Sequence, residues 1–195
     1  MKWKSHLEIA DAVSYQLGLP EGLSRVLREG SIQPDREGDK VVVKEGVLLR
    51  RRRVRHHRAS KRFIRSLLTT ARMAHLEGRE EDAIWCLGRA LHYIQDGSVA
   101  VGPLGWFHDR RESEIAVEHP FPSAIRLGED VANPSPIFID LCLRLLSPKR
   151  RSDAAMHQAC MLSSALAFSV LSSRDEKVES DERDRSEGLD LDRLP

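Results

Sequence analysis

The chain has 195 residues, of which 41% are hydrophobic and 31% charged, and its formal net charge is +1. That length favours one domain with a substantial core, and the balanced charge excludes a global field directed at nucleic acid. Three widely spaced cysteines, Cys86, Cys142 and Cys160, exclude a disulfide framework and a cysteine-based zinc knuckle and read as small core residues.

Along the chain, apolar positions recur mostly at helical spacing. The N-terminal residues lack an apolar run of signal-peptide length, and no stretch approaches a membrane span, so the expected location is cytoplasmic with any lipid contact peripheral. Leu7, Ile9, Ala10, Val13 and Leu17 mark a first helix, with Ser5 as N-cap and Gly18 as its stop. A short helix is expected around residues 23–27, ended by Gly30, and Ser31 to Asp35 then reads as an ordered loop with turn chemistry. Val41, Val42 and Val43 are the one β-like run, at most a short extended piece. A long helix is expected from His57 to Leu76, stopped by Gly78, and another over residues 80–96. After a loop at 97–105, a helix over 107–117 is followed by shorter ones near 122–130 and 137–146, set off by Pro120, Pro122, Pro134 and Pro136. A last helix, 152–172, is rich in alanine, leucine and methionine and is expected to be buried. The expected fold is all-α: a single-domain multi-helix bundle over residues 1–173, followed by a charged tail, 174–195, with no aromatic residue and an expectation of disorder.

His92 and Asp96 stand four residues apart, which on a helix places imidazole and carboxylate on one face. His108 and Glu112 repeat the spacing. Zinc takes imidazole nitrogen and carboxylate oxygen, so these pairs are candidate ligands, together with His6, Asp35, His56 and His57. Each has an ordinary reading too. An i,i+4 His/Asp pair serves as a surface hydrogen bond, Asp35 follows a proline in a turn, and His56 and His57 adjoin a solvated basic run. His75 and His119 have no carboxylate partner at helical spacing, although His119 is a spare nitrogen ligand, and His157 reads as an ordinary polar residue. The basic run is Arg50 to Arg53, Arg55, Arg58, Lys61 and Arg62. Placed at a helix N-terminus it opposes the helix dipole. A role in binding substrate, with Arg52, Arg53, Arg55 and Arg58 as contacts, is therefore expected. Phospholipid headgroups or a nucleic-acid backbone fit such a patch, and the lack of interleaved aromatics favours lipid or a small phosphoester.

In order, Trp3, Ser5-His6-Leu7, Pro34-Asp35, His56-His57, the segment Leu87 to Asp96 (LGRALHYIQD) and Phe107 to Glu112 (FHDRRE) resemble the zinc-dependent phospholipase C family, which shares its fold with the fungal single-strand-specific nucleases. The likeness covers just over half the chain. It implies a helical bundle around a cluster of one to three zinc ions. By that resemblance one ion is held by Asp35, His56 or His57, His92 and Asp96; Asp96 bridges to a second that uses His6; and a third uses His108 and Glu112. Two features depart from the family. Its N-terminal tryptophan, whose amine ligates, is here Trp3, an internal residue with only a carbonyl to offer, and its loop histidine after the bridging aspartate is missing from residues 97–107. The expected activity is hydrolysis of a phosphodiester by a metal-activated water, with phospholipid the leading substrate, peripheral membrane contact and Glu37 or Asp39 as candidates to orient the water. The alternatives are single-strand nuclease activity, or a non-catalytic helical binding protein retaining one structural metal.

Overall fold

The computed structural model of the protein describes residues 1–45, 48–54, 59–100, 113–115 and 119–172, with the side chains of 43–45 and 48–49 left out of the description. Helix dominates them: α1 is Trp3–Gln16, α2 Glu21–Arg36, α3 Lys61–Leu76, α4 Glu80–Gly97, α5 Pro122–Asp130, α6 Pro136–Leu145 and α7 Ser152–Leu171. The strands β1, Lys40–Glu45, and β2, Leu48–Arg53, form one small antiparallel sheet.

The central element is α4, whose apolar positions Ala83, Ile84, Leu87, Ala90, Leu91 and Ile94 are all buried. It packs against α2, α3 and α7, while α5 lies on α7 and α1 on α2. The last helix, α7, is apolar around most of its circumference and buries Met156, Leu162, Leu166 and Val170 as well as its small residues. Such a helix belongs in a core or a membrane. At 20 residues it is also long and apolar enough to cross a bilayer, contrary to the expectation that no stretch approaches that length, but 72% of its apolar window is buried inside this protein. Its C-terminus is held by the Arg72 guanidinium of α3, which donates to the carbonyls of Ser169, Val170 and Ser172 at 2.9–3.0 Å. A cation at the exposed carbonyls of a helix end also suits the helix dipole.

Four sequence expectations change. The first helix begins at Trp3, and Ser5 lies inside it, buried, so Ser5 is not the cap. The region read as a short helix, a stop at Gly30 and a loop is one continuous helix, α2. Gly30 is there for contact: a Cβ on it would meet the Trp85 carbonyl oxygen at 2.8 Å, and one on Gly88 would meet the Leu27 carbonyl oxygen at 2.7 Å. The two glycines let α2 and α4 touch backbone to backbone. The first part of the basic run is strand rather than helix start: Arg50, Arg51 and Arg52 pair with Val43, Val42 and Val41 across the sheet and Arg53 with Lys40, while Lys61 and Arg62 do open α3. Finally, α3 begins at Lys61, because the Ser60 hydroxyl caps it by accepting from the Phe63 amide.

The stops at Gly18 and Gly78 are as expected, both glycines taking the left-handed backbone that ends a helix (φ 63 and 73). The boundaries of α4, α5, α6 and α7 agree with expectation to within a residue or so. Of the helix expected over 107–117, residues 113–115 are helical and the rest lie outside the described residues, as do the tail after Ser172 and the segment 55–58.

Candidate metal centre

Three helices contribute one or two turns each to a buried polar cluster. His6 comes from the first turns of α1, Asp35 from the end of α2, and His92 and Asp96 from successive turns of α4. His6 and His92 are fully buried and Asp96 is 2% exposed, whereas Asp35 keeps 24% of its side chain exposed. The His6 and His92 rings stack with centroids 4.3 Å apart. The i,i+4 spacing does place His92 and Asp96 on one face of α4, 3.4 Å apart between Nε2 and Oδ2.

The orientation of the imidazoles is fixed from behind. His92 Nδ1 lies 2.9 Å from the carbonyl oxygen of Ser31. A carbonyl can only accept, so Nδ1 carries a hydrogen, and in the neutral ring Nε2 is then the lone-pair nitrogen. His6 Nδ1 lies 2.6 Å from Gln95 Oε1, which imposes the same tautomer on His6, and the Gln95 amide is itself anchored by donating to the Ser163 hydroxyl of α7 at 3.2 Å. Both Nε2 atoms thus point inward. His6 Nε2 has no hydrogen-bond partner and lies 3.4 Å from Asp96 Oδ1; His92 Nε2 lies 3.7 Å from Asp35 Oδ1.

These separations are too long for strong hydrogen bonds, and a lone pair facing an anionic oxygen is repulsive unless positive charge sits between them. They match the spacing of ligand atoms around one cation: donors at about 2.1 Å in a tetrahedron stand about 3.4 Å from one another. One ligand atom from each of His6, Asp35 and His92 lies within 4.8 Å of the others, so this group can hold a metal ion. The outer partners are also what metal-bound histidines require: an acceptor on the second ring nitrogen that sets tautomer and ring plane.

Positive charge is already present at one edge. The α-amino group of Met1 donates to Asp96 Oδ1 in a buried ion pair. Burial alone would raise the Asp96 pKa, but the Met1 ammonium beside it holds it well below the usual carboxylate range. The carboxylate is ionised at neutral pH. Trp3, expected at the cluster on sequence grounds, is about half exposed, and the amine beside Asp96 belongs to Met1.

No protein-family model, curated protein or solved structure matches the chain.

The remaining sequence candidates divide into three groups. His56, His57, His108, Glu112, Arg55 and Arg58 lie outside the described residues. Arg52 and Arg53 are exposed on β2 rather than at a helix start. The third group is placed elsewhere. His119 is largely exposed, 4.0 Å from Glu8, and is not a spare ligand of this cluster. Glu37 is exposed beside Gln33. Asp39 is buried, but its two carboxylate oxygens accept from Arg89 (2.5 Å) and from the Tyr93 hydroxyl (2.8 Å). It ties the start of the sheet to α4, which leaves it poorly suited to orient a water. Burial and the Asp39 charge push the Tyr93 hydroxyl pKa up, so it stays a donor. The cysteines stand apart from the cluster: among the described residues the group that could hold an ion is His6, Asp35 and His92, and burial pushes the Cys142 and Cys160 thiols up to about 11.

Sequence reasoning missed Gln95, Ser31 and the Met1 amine. Gln95 carried a weak signal, being an uncharged polar residue next to the candidate ligand Asp96 and one turn from His92.

Proposed function

We propose that the protein is a zinc-dependent phosphoester hydrolase resembling the phospholipase C family, with His6, Asp35, His92 and Asp96 as the residues that would hold metal. The observation that supports this reading best is the pair of buried imidazoles, each fixed by an acceptor on Nδ1 with Nε2 turned toward carboxylates. The donor set, two neutral imidazoles and two carboxylates, is of the type zinc accepts. A divalent ion bound there supplies Lewis acidity toward phosphoryl oxygen and lowers the pKa of a water. The chain's own residues do the rest. Gln95 and Ser31 keep the imidazole lone pairs inward, Asp96 keeps its negative charge in a dry site, and Asp35 is the carboxylate nearest solvent.

A phospholipid or another phosphodiester is the proposed substrate. The exposed arginines of β2 favour a phosphate-bearing ligand of either kind, which keeps a single-strand nuclease as a second reading. Burial of His6, His92 and Asp96 also suits a third, a helical binding protein with one structural ion.

Metal content and turnover separate these. Elemental analysis of the purified chain is expected to give at least one zinc per chain. Hydrolysis of a phosphatidylcholine dispersion, a simple aryl phosphodiester and single-stranded DNA, each with zinc or with chelator, is expected to show zinc-dependent cleavage of the first two. Asp96→Asn is expected to lower bound metal and abolish turnover. Cleavage of DNA alone would select the nuclease; one retained zinc without turnover on any substrate would select the structural role; absence of metal would reject the centre.

A further inference from the structure

The helix α6, Pro136–Leu145, is apolar on both sides. Its inner face is accounted for: Ile139, Cys142 and Leu143 are buried against the neighbouring helices. Its outer face is not. Ile137, Leu141 and Leu145, at successive i,i+4 positions and so on one stripe, are 81%, 49% and 55% exposed. Single exposed aliphatics need no explanation, but three in a row on one helix make a contiguous patch that asks for an occupant.

Charge around the stripe indicates which occupant. The first turns of α3 lie beside α6, and Lys61, Arg62, Arg65, Asp140 and Arg144 line a shared surface cleft. The Lys61 ammonium reaches the Arg144 carbonyl oxygen at 3.4 Å. Arg65 Nε meets Asp140 Oδ1 at 3.0 Å, so the single acid of the group is neutralised. Lys61, Arg62 and Arg144 are left as a positive rim on one flank of the apolar stripe, in a protein whose net charge is only +1.

We propose that α6 is a membrane-docking helix, its stripe of Ile137, Leu141 and Leu145 entering the headgroup boundary of an anionic bilayer while Lys61, Arg62 and Arg144 meet the lipid phosphates. Long basic side chains bordering an aliphatic stripe are suited to this, because their stems lie on apolar surface while their heads reach the charged layer. A second copy of the chain fits less well. Three aliphatic side chains fall short of the roughly 800 Å² per partner of a stable interface, and a two-fold contact through this patch would bring like-charged rims together.

The inference goes beyond the proposed hydrolase activity and does not depend on it. Flotation of the full chain with phosphatidylcholine vesicles carrying phosphatidylserine, and with pure phosphatidylcholine vesicles, is read in excess chelator, where no metal-dependent turnover contributes. The full chain is expected to float with the anionic vesicles and far less with the neutral ones. Ile137→Ser with Leu141→Ser is expected to weaken binding about tenfold or more. Arg62→Gln is expected to weaken it about fivefold and to flatten its salt dependence. Both changes are at exposed positions, and far-UV circular dichroism confirms that each variant is folded. No flotation, or equal flotation of chain and variants, overturns the proposal. So does a concentration-dependent dimer that the double variant abolishes, since the patch would then be covered by a second copy.

Discussion

At the scale of single residues, the cluster is decided less by its candidate ligands than by what stands behind them. A histidine ring free to rotate offers either nitrogen in many directions. His6 offers only Nε2, because Nδ1–H is committed to Gln95 Oε1 at 2.6 Å. Replacing Gln95 with leucine keeps the size of the side chain and removes the acceptor. Loss of such an outer partner costs about 10–100-fold in metal affinity, and that is the fall expected for Gln95→Leu in a competition titration against a chelator. Ser163→Ala removes only the anchor of Gln95, 3.2 Å further out, and is expected to cost much less. Equal affinities for Gln95→Leu and the parent chain would mean that His6 is not a ligand.

At the scale of elements, the approach of α2 to α4 sets the geometry of the site. Ser31 and Asp35 on α2 must meet His92 and Asp96 on α4, and the helices come that close through Gly30 and Gly88. Alanine is the better helix former by about 1 kcal/mol, so in isolation Gly88→Ala would stabilise α4. Here the new Cβ would lie 2.7 Å from the Leu27 carbonyl oxygen and 3.0 Å from Gly30 backbone atoms, none of which is a flexible side-chain end. Overpacking of this kind costs about 1–3 kcal/mol. Gly88→Ala is therefore expected to be destabilising by denaturant titration and to weaken metal binding, since the helices must part and Ser31 leaves His92. Gly22→Ala, on the same α2 but with nothing within 4 Å of the added carbon, is expected to be neutral or stabilising. If both behave alike, the crossing is not tight. The same glycines mark the limit of what the sequence made legible. Helices α4 to α7 could be read because apolar spacing and proline or glycine punctuation agreed. Gly30 and Pro34 carried the same punctuation inside a continuous helix, and nothing local distinguishes a glycine that ends a helix from one that admits a neighbour. The second strand was hidden because Arg50 to Arg53 has no alternation of apolar and polar residues. His92 and Asp96 were legible from spacing alone, His6 and Asp35 only through the family resemblance, and the Met1 amine through neither, because it reaches Asp96 across 95 residues of chain.

At the scale of the whole molecule, a cation at the cluster would join three helices that the chain separates widely: α1 through His6, α2 through Asp35, and α4 through His92 and Asp96. In the unfolded chain those groups are dispersed, so affinity for the ion is almost entirely affinity for the folded state and appears as stability. An ion present at 100 times its dissociation constant adds about 2.7 kcal/mol. For a protein of this size each kcal/mol moves the thermal midpoint by about 2–4 °C, so zinc at that excess is expected to raise the midpoint by about 5–10 °C over the chelator-treated chain. The rise should follow the logarithm of free zinc and shrink in Asp96→Asn, where the ionised carboxylate is lost. Magnesium, which prefers oxygen ligands and gives up its water reluctantly, should produce a much smaller rise at the same concentration. Differential scanning calorimetry across a zinc series measures all of these. A midpoint indifferent to zinc, or one that moves equally in the parent chain and in Asp96→Asn, would show that the inward-facing imidazoles and carboxylates are held apart by the Met1 ammonium and protons alone, and that the cluster is a buried polar joint between three helices.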